Sequence, residues 1–313
     1  MVNTKLLGLF LLILFAVSQG LRDVYLSSAF GTVSFFDLVF LAFSTATIFF
    51  CLLLVLFARN DIPKLKEHWR GVLAVNLTTA VAWLCYFGAL NLVEPSAVST
   101  VFSGIAPVAV VLLTAIGLYA SDKANAAPME RLLHVGIFST LLFLGWIVLS
   151  GRSGFAEISV FTGLTGLLLA AISGVAITAE TVYAKQMNEA GISAIGVLSL
   201  RFVLIALIGG VAVYGYGQTS LDDASLGTIG TISFKMLMLM VAPLYLVGKG
   251  LQLTSPLTTG IVAAFGPAIV FSLQAAEGRI PTSYWVLSVT VIYVLLTTGS
   301  VALRAYLASK AKA

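Results

Sequence analysis

Charged residues are scarce in this sequence. They make up 10% of its 313 residues, whereas hydrophobic residues make up 59%. The mean hydropathy is +1.06, and a soluble globular domain carries roughly 25% charged residues. The composition therefore argues against a soluble protein and indicates a chain that lies mostly within a lipid bilayer.

Cysteine and histidine are also scarce, and common catalytic motifs are missing. The two cysteines, Cys51 and Cys85, lie inside apolar runs, so they imply no disulfide framework and no metal-binding pattern. His68 falls in a basic loop and His134 near a helix start, where neither is expected to form a site. The sequence has no phosphate-binding loop, HExxH motif or GxSxG motif. We therefore expect no enzyme activity, no cofactor, no metal and no nucleic-acid partner.

Apolar runs of membrane-spanning length occupy almost the whole chain. A helix needs roughly 20 apolar residues to cross the hydrocarbon core. The predicted helices cover residues 5–26, 34–57, 69–92, 96–119, 129–149, 160–183, 195–214, 229–251, 257–276 and 284–307. The first run, with Lys5 before it, also resembles a signal peptide, but the internal repeat described below requires that it be retained. The fold class predicted is an all-α integral membrane protein with ten transmembrane helices.

Basic residues gather in alternate loops. If the loops are assigned alternately to two sides, the side of the N-terminus receives eleven basic residues and the other side three. The first set is Lys5, Arg59, Lys64, Lys66, Arg70, Lys123, Arg131, Lys185, Arg304, Lys310 and Lys312, and the second is Arg22, Arg152 and Arg279. The positive-inside rule then predicts that both termini are cytoplasmic, in a plasma membrane such as the bacterial inner membrane.

The two halves of the chain echo each other. The connection ending at Pro95 is similar to the one ending at Pro256, and further prolines, Pro107 and Pro267, follow at nearly equal distances. This predicts a duplicated unit of five helices, residues 1–150 and 151–313. Because five is odd, the second unit must be inserted in the opposite sense. Inverted repeats of this kind are typical of secondary transporters.

These motifs resemble the drug/metabolite transporter superfamily, specifically its EamA-like branch. The resemblance rests on residues 86–90 (YFGAL) with Pro95 and Pro107, on their echoes Pro256 and Pro267, on residues 200–202 (LRF), and on Glu277. It implies two inverted five-helix repeats around a central cavity. It also implies a secondary transporter that is often an exporter of metabolites or amino acids.

The third helix carries a stripe of polar and aromatic side chains at steps of three or four residues. Its members are Asn76, Thr79, Trp83 and Tyr86. One interpretation is the wall of a substrate cavity, where the aromatic rings hold an apolar or cationic part of the substrate. The other is ordinary packing between helices, in which Asn and Thr bond to neighbouring helices.

Three further residues are candidates for the same cavity. Tyr245 lies on a polar face of the eighth helix. Pro107 and Pro267 each remove a backbone hydrogen bond in mid-membrane, so they are interpreted as hinges or as residues that shape the cavity. A tolerated kink without function is the alternative for both prolines.

Charged residues within the helices form two predicted clusters, one at each end of the bundle. Glu180, Arg201 and Lys249 share the inner depth, and the outer cluster consists of Arg22, Asp23, Asp37 and Lys235. Charges at membrane depth are functional candidates by default, so we interpret the clusters as alternating gates, with Glu180 as a proton-coupling carboxylate. Static ion pairs, and lysines that reach the interface, are the alternatives.

The function predicted is secondary active transport, in the export direction, of a small metabolite such as an amino acid or an amphiphilic compound. Its partners are a small-molecule substrate, the lipid bilayer and a coupling proton, and the protein is expected to be a monomer or a homodimer. A sugar-phosphate or nucleotide-sugar exchanger stays open, because Arg201, Lys235 and Lys249 are suited to phosphate. A membrane-embedded enzyme or a channel is the alternative from another class.

Overall fold

The computed structural model describes residues 2–118, 128–155, 158–222 and 224–310. Within these ranges the chain is helical, and ten helical segments are long and apolar enough to cross a membrane. The all-α fold class and the ten predicted spans are therefore confirmed. The predicted end of the fourth span at Tyr119 lies outside the described residues.

The ten spans comprise thirteen α-helices and a π-helical turn, and one short helix lies between the second and third spans. In chain order the helices are α1 Val2–Ala29, α2 Phe35–Phe57, the short α3 Asp61–Glu67, α4 Trp69–Leu92, α5 Pro95–Gly104, α6 Ala106–Ala115, α7 Pro128–Leu149, α8 Val160–Glu189, α9 Ala194–Arg201, α10 Val203–Gly210, α11 Leu226–Leu253, α12 Pro256–Ala264, α13 Gly266–Glu277 and α14 Tyr284–Lys310, with the π turn at Val211–Gly215. The fourth span is α5 with α6, the seventh is α9 with α10 and the π turn, and the ninth is α12 with α13.

Serine residues fix the start of five helices. Each serine is an N-cap whose hydroxyl accepts a hydrogen bond from a backbone N–H three residues later: Ser34, Ser159, Ser193, Ser225 and Ser255. The first N–H groups of a helix have no partner within the helix, and a side-chain oxygen satisfies one of them. The local sequence therefore sets where these spans begin.

Three spans are interrupted in mid-membrane. The fourth breaks at Ile105 and the ninth at Phe265, each two residues before a proline that cannot donate a backbone hydrogen bond. Both breaks lie where a proline was expected to remove a backbone hydrogen bond, whereas the roles of Pro107 and Pro267 as hinges or cavity residues stay predictions. The seventh span also breaks, at Phe202, with no proline nearby, and this break was not predicted.

The helices pack in pairs that correspond when the two halves of the chain are exchanged. The third span packs on the sixth (α4 on α8), and the eighth on the first (α11 on α1). The fourth span packs on the sixth, the ninth on the first, the second on the seventh and the fifth on the tenth. This is the pattern that an inverted duplication of residues 1–150 as 151–313 predicts; the duplication itself stays a prediction.

Hydrogen bonds between helix ends and loops fall into two groups, one at each end of the bundle. At one end the Lys64 ammonium donates to the Gly191 carbonyl at 2.6 Å. At the other end the Ser220 N–H donates to the Asp37 carboxylate at 2.7 Å. Ten spans that cross alternately bring both chain ends to the first of these faces, which we call the terminal face, and we call the second the opposite face.

The fourth and ninth spans meet near the opposite face alone. Their halves on that side, α5 and α13, pack against each other, whereas their halves on the terminal side, α6 and α12, make no comparable contact within the described ranges. The third span also packs on the first and second spans. In the second half, the corresponding contacts would join the eighth span to the sixth and seventh, and no comparable packing is found there among the described residues. Between the fourth and ninth spans, the bundle is therefore closed at the opposite face and looser at the terminal face.

Candidate substrate site

Asn76 joins the third span to the break in the seventh. Its side-chain oxygen accepts from the Leu204 N–H at 3.0 Å, and its side-chain nitrogen donates to the Val72 carbonyl at 2.9 Å. Because α10 starts anew after Phe202, its first N–H groups need external partners. Asn76 supplies one, so both ends of its amide are used in helix packing.

Thr79 and Trp83 continue the same stripe of α4 and have polar atoms without partners. Within the part of the chain that the structure describes, neither the Thr79 hydroxyl nor the Trp83 indole N–H has a hydrogen-bond partner, although both atoms are buried. Buried polar groups are bonded in most cases, and an unpaired one costs about 1–3 kcal/mol. These two groups are therefore candidates for contact with a bound molecule.

A buried ion pair lies on the opposite-face side of Trp83. Arg22 donates to the Asp23 carboxylate twice, at 2.9 and 2.7 Å, and the Tyr86 hydroxyl donates to the second Asp23 oxygen at 2.6 Å. The Arg22 guanidinium also lies 4.9 Å from the Trp83 ring centre and 5.4 Å from that of Tyr86. All three polar side chains are at least 96% buried. Within the described ranges, no buried polar atom of these three side chains lacks a hydrogen-bond partner, so we call the group a closed network.

The other two residues of the predicted outer cluster lie apart from this pair. Asp37 accepts hydrogen bonds from Ser34, Thr219 and Ser220 and so ties α2 to the loop before α11. Lys235 is exposed, and its ammonium lies 5.3 Å from the Tyr25 ring centre. The structure thus divides the predicted cluster into one buried pair and two separate contacts, because these side chains leave their helices in different directions.

Glu180 and Arg201 form a second buried ion pair, near the terminal face. Arg201 Nη2 lies 3.2 Å from a Glu180 oxygen, and the two side chains are 11% and 5% exposed. The other Glu180 oxygen and Arg201 Nε are buried and have no hydrogen-bond partner in the described ranges. This pair therefore keeps one free acceptor and one free donor.

Of the two residues of α4 with unpaired groups, Thr79 lies closer in depth to this pair. Ser173 of α8 donates to the Ala82 carbonyl of α4, and Glu180 lies seven residues further along α8. Because the two spans run in opposite directions, Glu180 is level with the region of Asn76. Thr79 is one helical turn deeper, about 4.5 Å at 1.5 Å per residue.

Lys249, the third residue of the predicted inner cluster, is not in the pair. It is exposed on α11, and its ammonium lies 3.4 Å from the Gln252 side-chain oxygen. Tyr245 is 67% exposed on the same helix. Since α11 packs on the first two spans rather than on α4, neither residue joins the stripe.

The prolines shape the two broken spans. Pro267 is buried at the start of α13 and Pro107 is half-buried at the start of α6. Two surface pockets of about 490 and 520 Å³ lie near the ends of the bundle, and none of the seven predicted cavity residues lines either of them. The candidate site therefore consists of the unpaired groups of α4, α8 and α9.

A further buried carboxylate, Glu94, was not predicted. It lies between α4 and α5, fully buried, and accepts from the Gly154 N–H at 2.7 Å and the Gln274 side-chain amide at 3.3 Å. Burial raises the pKa of Glu94 from 4.5 to about 7, since these hydrogen bonds offset only part of the desolvation. The sequence signal is an acidic residue directly before Pro95, in the connection that is repeated at Pro256.

Comparisons with known proteins agree with this architecture. Residues 6–121 match the family model described as EamA-like transporter family, which confirms the predicted resemblance over the first four spans. A solved structure, described only as the crystal structure of a protein, aligns over 100% of both chains with a TM-score of 0.61 and 18% identity, which shows the fold alone. No curated protein matches the sequence. The family that matches residues 6–121 is a family of membrane transporters.

Proposed function

We propose that this protein is a secondary transporter that exports small zwitterionic metabolites, with α-amino acids as the substrate class. The ten spans and the match of residues 6–121 to the EamA-like transporter family support this proposal. The observation that carries this proposal is the Glu180–Arg201 pair with its free acceptor and free donor. The export direction and alternating access are parts of the proposal.

The charges of the pair match those of an amino acid. An α-amino acid carries an ammonium and a carboxylate on adjacent carbons, and the pair offers a carboxylate oxygen and a guanidinium N–H side by side. Hydrogen bonds to charged groups contribute about 1.5–3 kcal/mol each. A zwitterion satisfies both buried groups, whereas an amine or a carboxylic acid satisfies one.

The neighbouring groups of α4 suit the rest of such a substrate. The unpaired Thr79 hydroxyl and Trp83 N–H can bond polar atoms of the substrate side chain, and the half-buried Trp83 ring offers an apolar surface. Beyond it, the Arg22–Asp23 pair is already satisfied, so it supports the wall of the site and takes no part in binding.

The packing supports loading from the terminal face, where the fourth and ninth spans do not meet. The excess of basic residues on the terminal side supports a cytoplasmic location for that face. A site open to the cytoplasm receives its substrate there, and release at the opposite face then gives export.

A sugar-phosphate or nucleotide-sugar exchanger is less well supported. It needs several cationic groups around one phosphate. Lys235 lies over Tyr25 and Lys249 beside Gln252, so neither joins Arg201, whose charge Glu180 already balances.

The test is ligand-dependent thermal stabilisation of the purified protein, followed by uptake into inside-out proteoliposomes. The panel contains amino acids, the matched amines that lack the carboxylate, the matched acids that lack the ammonium, and sugar phosphates. We expect stabilisation by amino acids alone, because ligands that bind the folded state raise apparent stability. Stabilisation by sugar phosphates alone would overturn the proposal.

Two variants on the same helix separate binding from folding. Glu180→Gln keeps the size of the side chain and removes its charge, so we expect amino-acid affinity to fall about 10–100-fold, or about 1.4–2.8 kcal/mol. The variant should also lose its preference for amino acids over the matched acids. Glu189→Gln changes an exposed glutamate of α8 that pairs with Lys185, and it should bind like the parent.

A further inference from the structure

The contact that closes the opposite face lies between the two halves of the chain. Near that face α5 packs on α13, and α1 and α14 also pack on α5. For a substrate to leave through this face, α5 and α13 have to separate. Residues that bond across this contact are therefore in a position to control release.

The Gln274 side chain makes two hydrogen bonds across this contact, one as donor and one as acceptor. The Gln274 amide donates to Glu94 at 3.3 Å, while its oxygen accepts from the Ser96 N–H at 3.1 Å. Gln274 is 2% exposed, so all these bonds lie away from water. The Gly154 N–H adds a bond from the loop between α7 and α8. Three separate parts of the chain thus meet at one carboxyl group.

The remaining Glu94 oxygen is buried and has no partner within the described ranges. The Ser96 hydroxyl is the one side-chain donor near it among the described residues, and the two make no well-formed hydrogen bond, so an ionised carboxylate is poorly compensated on this side. A protonated carboxyl group carries no charge and keeps both bonds on its other oxygen. The closed contact therefore favours the protonated form on geometry alone.

No cation compensates Glu94 among the charged and titratable side chains described on the elements around it. On the second half of the chain, Glu277 pairs with Arg279, which also donates to Ser27. Arg152 lies over the rings of Trp146 and Trp285. On α1, Arg22 and Asp23 bond to each other, and Tyr293 of α14 has hydroxyl neighbours.

We propose that Glu94 and Gln274 form the latch of the opposite-face gate, and that a proton on Glu94 holds this gate closed. The inference rests on the proposed transport function. When α5 and α13 separate, Glu94 loses Gln274, enters water and releases its proton to the same face. The proton does not cross the membrane, so the latch regulates release and does not drive transport.

The sign of the pH dependence follows from the raised pKa of Glu94 in the closed state. The stability of the closed contact is fully present below the ordinary value of 4.5 and is lost as pH rises through about 7. Between pH values of about 5.5 and 8.5 the ratio of open to closed protein should rise roughly 30-fold by proton linkage. Acid at the opposite face therefore closes the gate.

The test is the distance between spin labels at Asn91 and Ala276, two exposed positions beside the contact, in the full chain with Cys51 and Cys85 replaced. The protein is reconstituted in nanodiscs without substrate and measured across that pH range. We expect the short distance to dominate in acid and the long distance to gain weight in alkali. A distribution that does not change with pH would overturn the proposal.

Three variants separate the latch from general folding. Glu94→Gln resembles the protonated form and should keep the short distance at every pH. Gln274→Ala should favour the long distance at every pH. This variant tests the latch even if Glu94→Gln fails to fold. Glu277→Gln alters an exposed acid on the same helix and should titrate like the parent. If Glu94→Gln still changes with pH, Glu94 is not the latch.

The readout needs no substrate, so the two proposals fail separately. If the distance does not change with pH but amino acids are still exported, the latch proposal alone is wrong. If the distance changes with pH as expected but amino acids do not bind, the substrate proposal alone is wrong.

Discussion

The chain buries two ion pairs that differ in how completely their atoms are bonded. Arg22 and Asp23 share two hydrogen bonds, Tyr86 donates a third to Asp23, and the rings of Trp83 and Tyr86 lie beside Arg22. Glu180 and Arg201 share one approach of 3.2 Å and each leave a buried atom unpaired. A closed network of this kind stabilises the fold. An incomplete one costs free energy until a ligand completes it.

The largest expected effect comes from breaking the complete pair. Arg22→Leu leaves Asp23 charged and buried without a cation, so the free energy of unfolding should fall by about 3–5 kcal/mol. It can be measured by SDS titration in mixed micelles. The double change Arg22→Leu with Asp23→Leu should lose less than the single change, because no unpaired charge is left. Equal losses would contradict the role given to the pair.

A smaller effect is expected when one hydrogen bond of the same network is removed. Tyr86→Phe keeps the ring beside Arg22 and deletes the hydroxyl that donates to Asp23. The free energy of unfolding should fall by about 1.5–3 kcal/mol, the range for hydrogen bonds to charged groups. Tyr284→Phe, at a tyrosine that is 79% exposed, is the matched control and should not differ from the parent.

At the incomplete site, a substitution should weaken substrate binding without lowering the stability of the fold. Thr79→Val replaces an unpaired buried hydroxyl by a methyl group of similar size, so stability should be unchanged or rise by up to about 1 kcal/mol. Amino-acid affinity should nevertheless fall several-fold. Thr78→Val is the control, since the Thr78 hydroxyl is bonded to the Ala74 carbonyl and its loss should lower stability without affecting binding. A stability loss at Thr79 would show that its hydroxyl has a partner.

The smallest effect belongs to the exposed pair of α8. Lys185 and Glu189 are 70% and 64% exposed at 3.7 Å, where water and salt screen their charges. Glu189→Gln should therefore change the free energy of unfolding by less than about 0.5 kcal/mol. A loss as large as that for Arg22→Leu would mean that burial does not distinguish these pairs.

Helical period predicted the polar stripe of α4 but not the use of its members. The four residues share one face, as expected, yet Asn76 caps α10 and Tyr86 bonds Asp23. Thr79 and Trp83 are the members whose polar atoms have no partner in the described part of the chain. Their partners lie on helices distant in sequence. Spacing along α4 carries no information about which side chains those helices present.

The sequence by itself determined the features that depend on solvent and on local backbone chemistry. Length and hydropathy set ten spans, because a helix in lipid must satisfy its own backbone groups. Prolines set two of the mid-membrane breaks, and serine caps set several helix starts. Each of these follows from residues within one or two turns of each other.

Only the tertiary structure decided which charges are paired and which stay incomplete. The sequence predicts that Lys249 lies at the same depth as Glu180 and Arg201. In the structure its side chain points elsewhere and lies beside Gln252. The sequence likewise shows Glu94 as an acid before a proline. The packing of α13 from the other half of the chain removes it from water and bonds it to Gln274. Burial and hydrogen bonding between distant spans are properties of the assembled bundle, and no single span contains them.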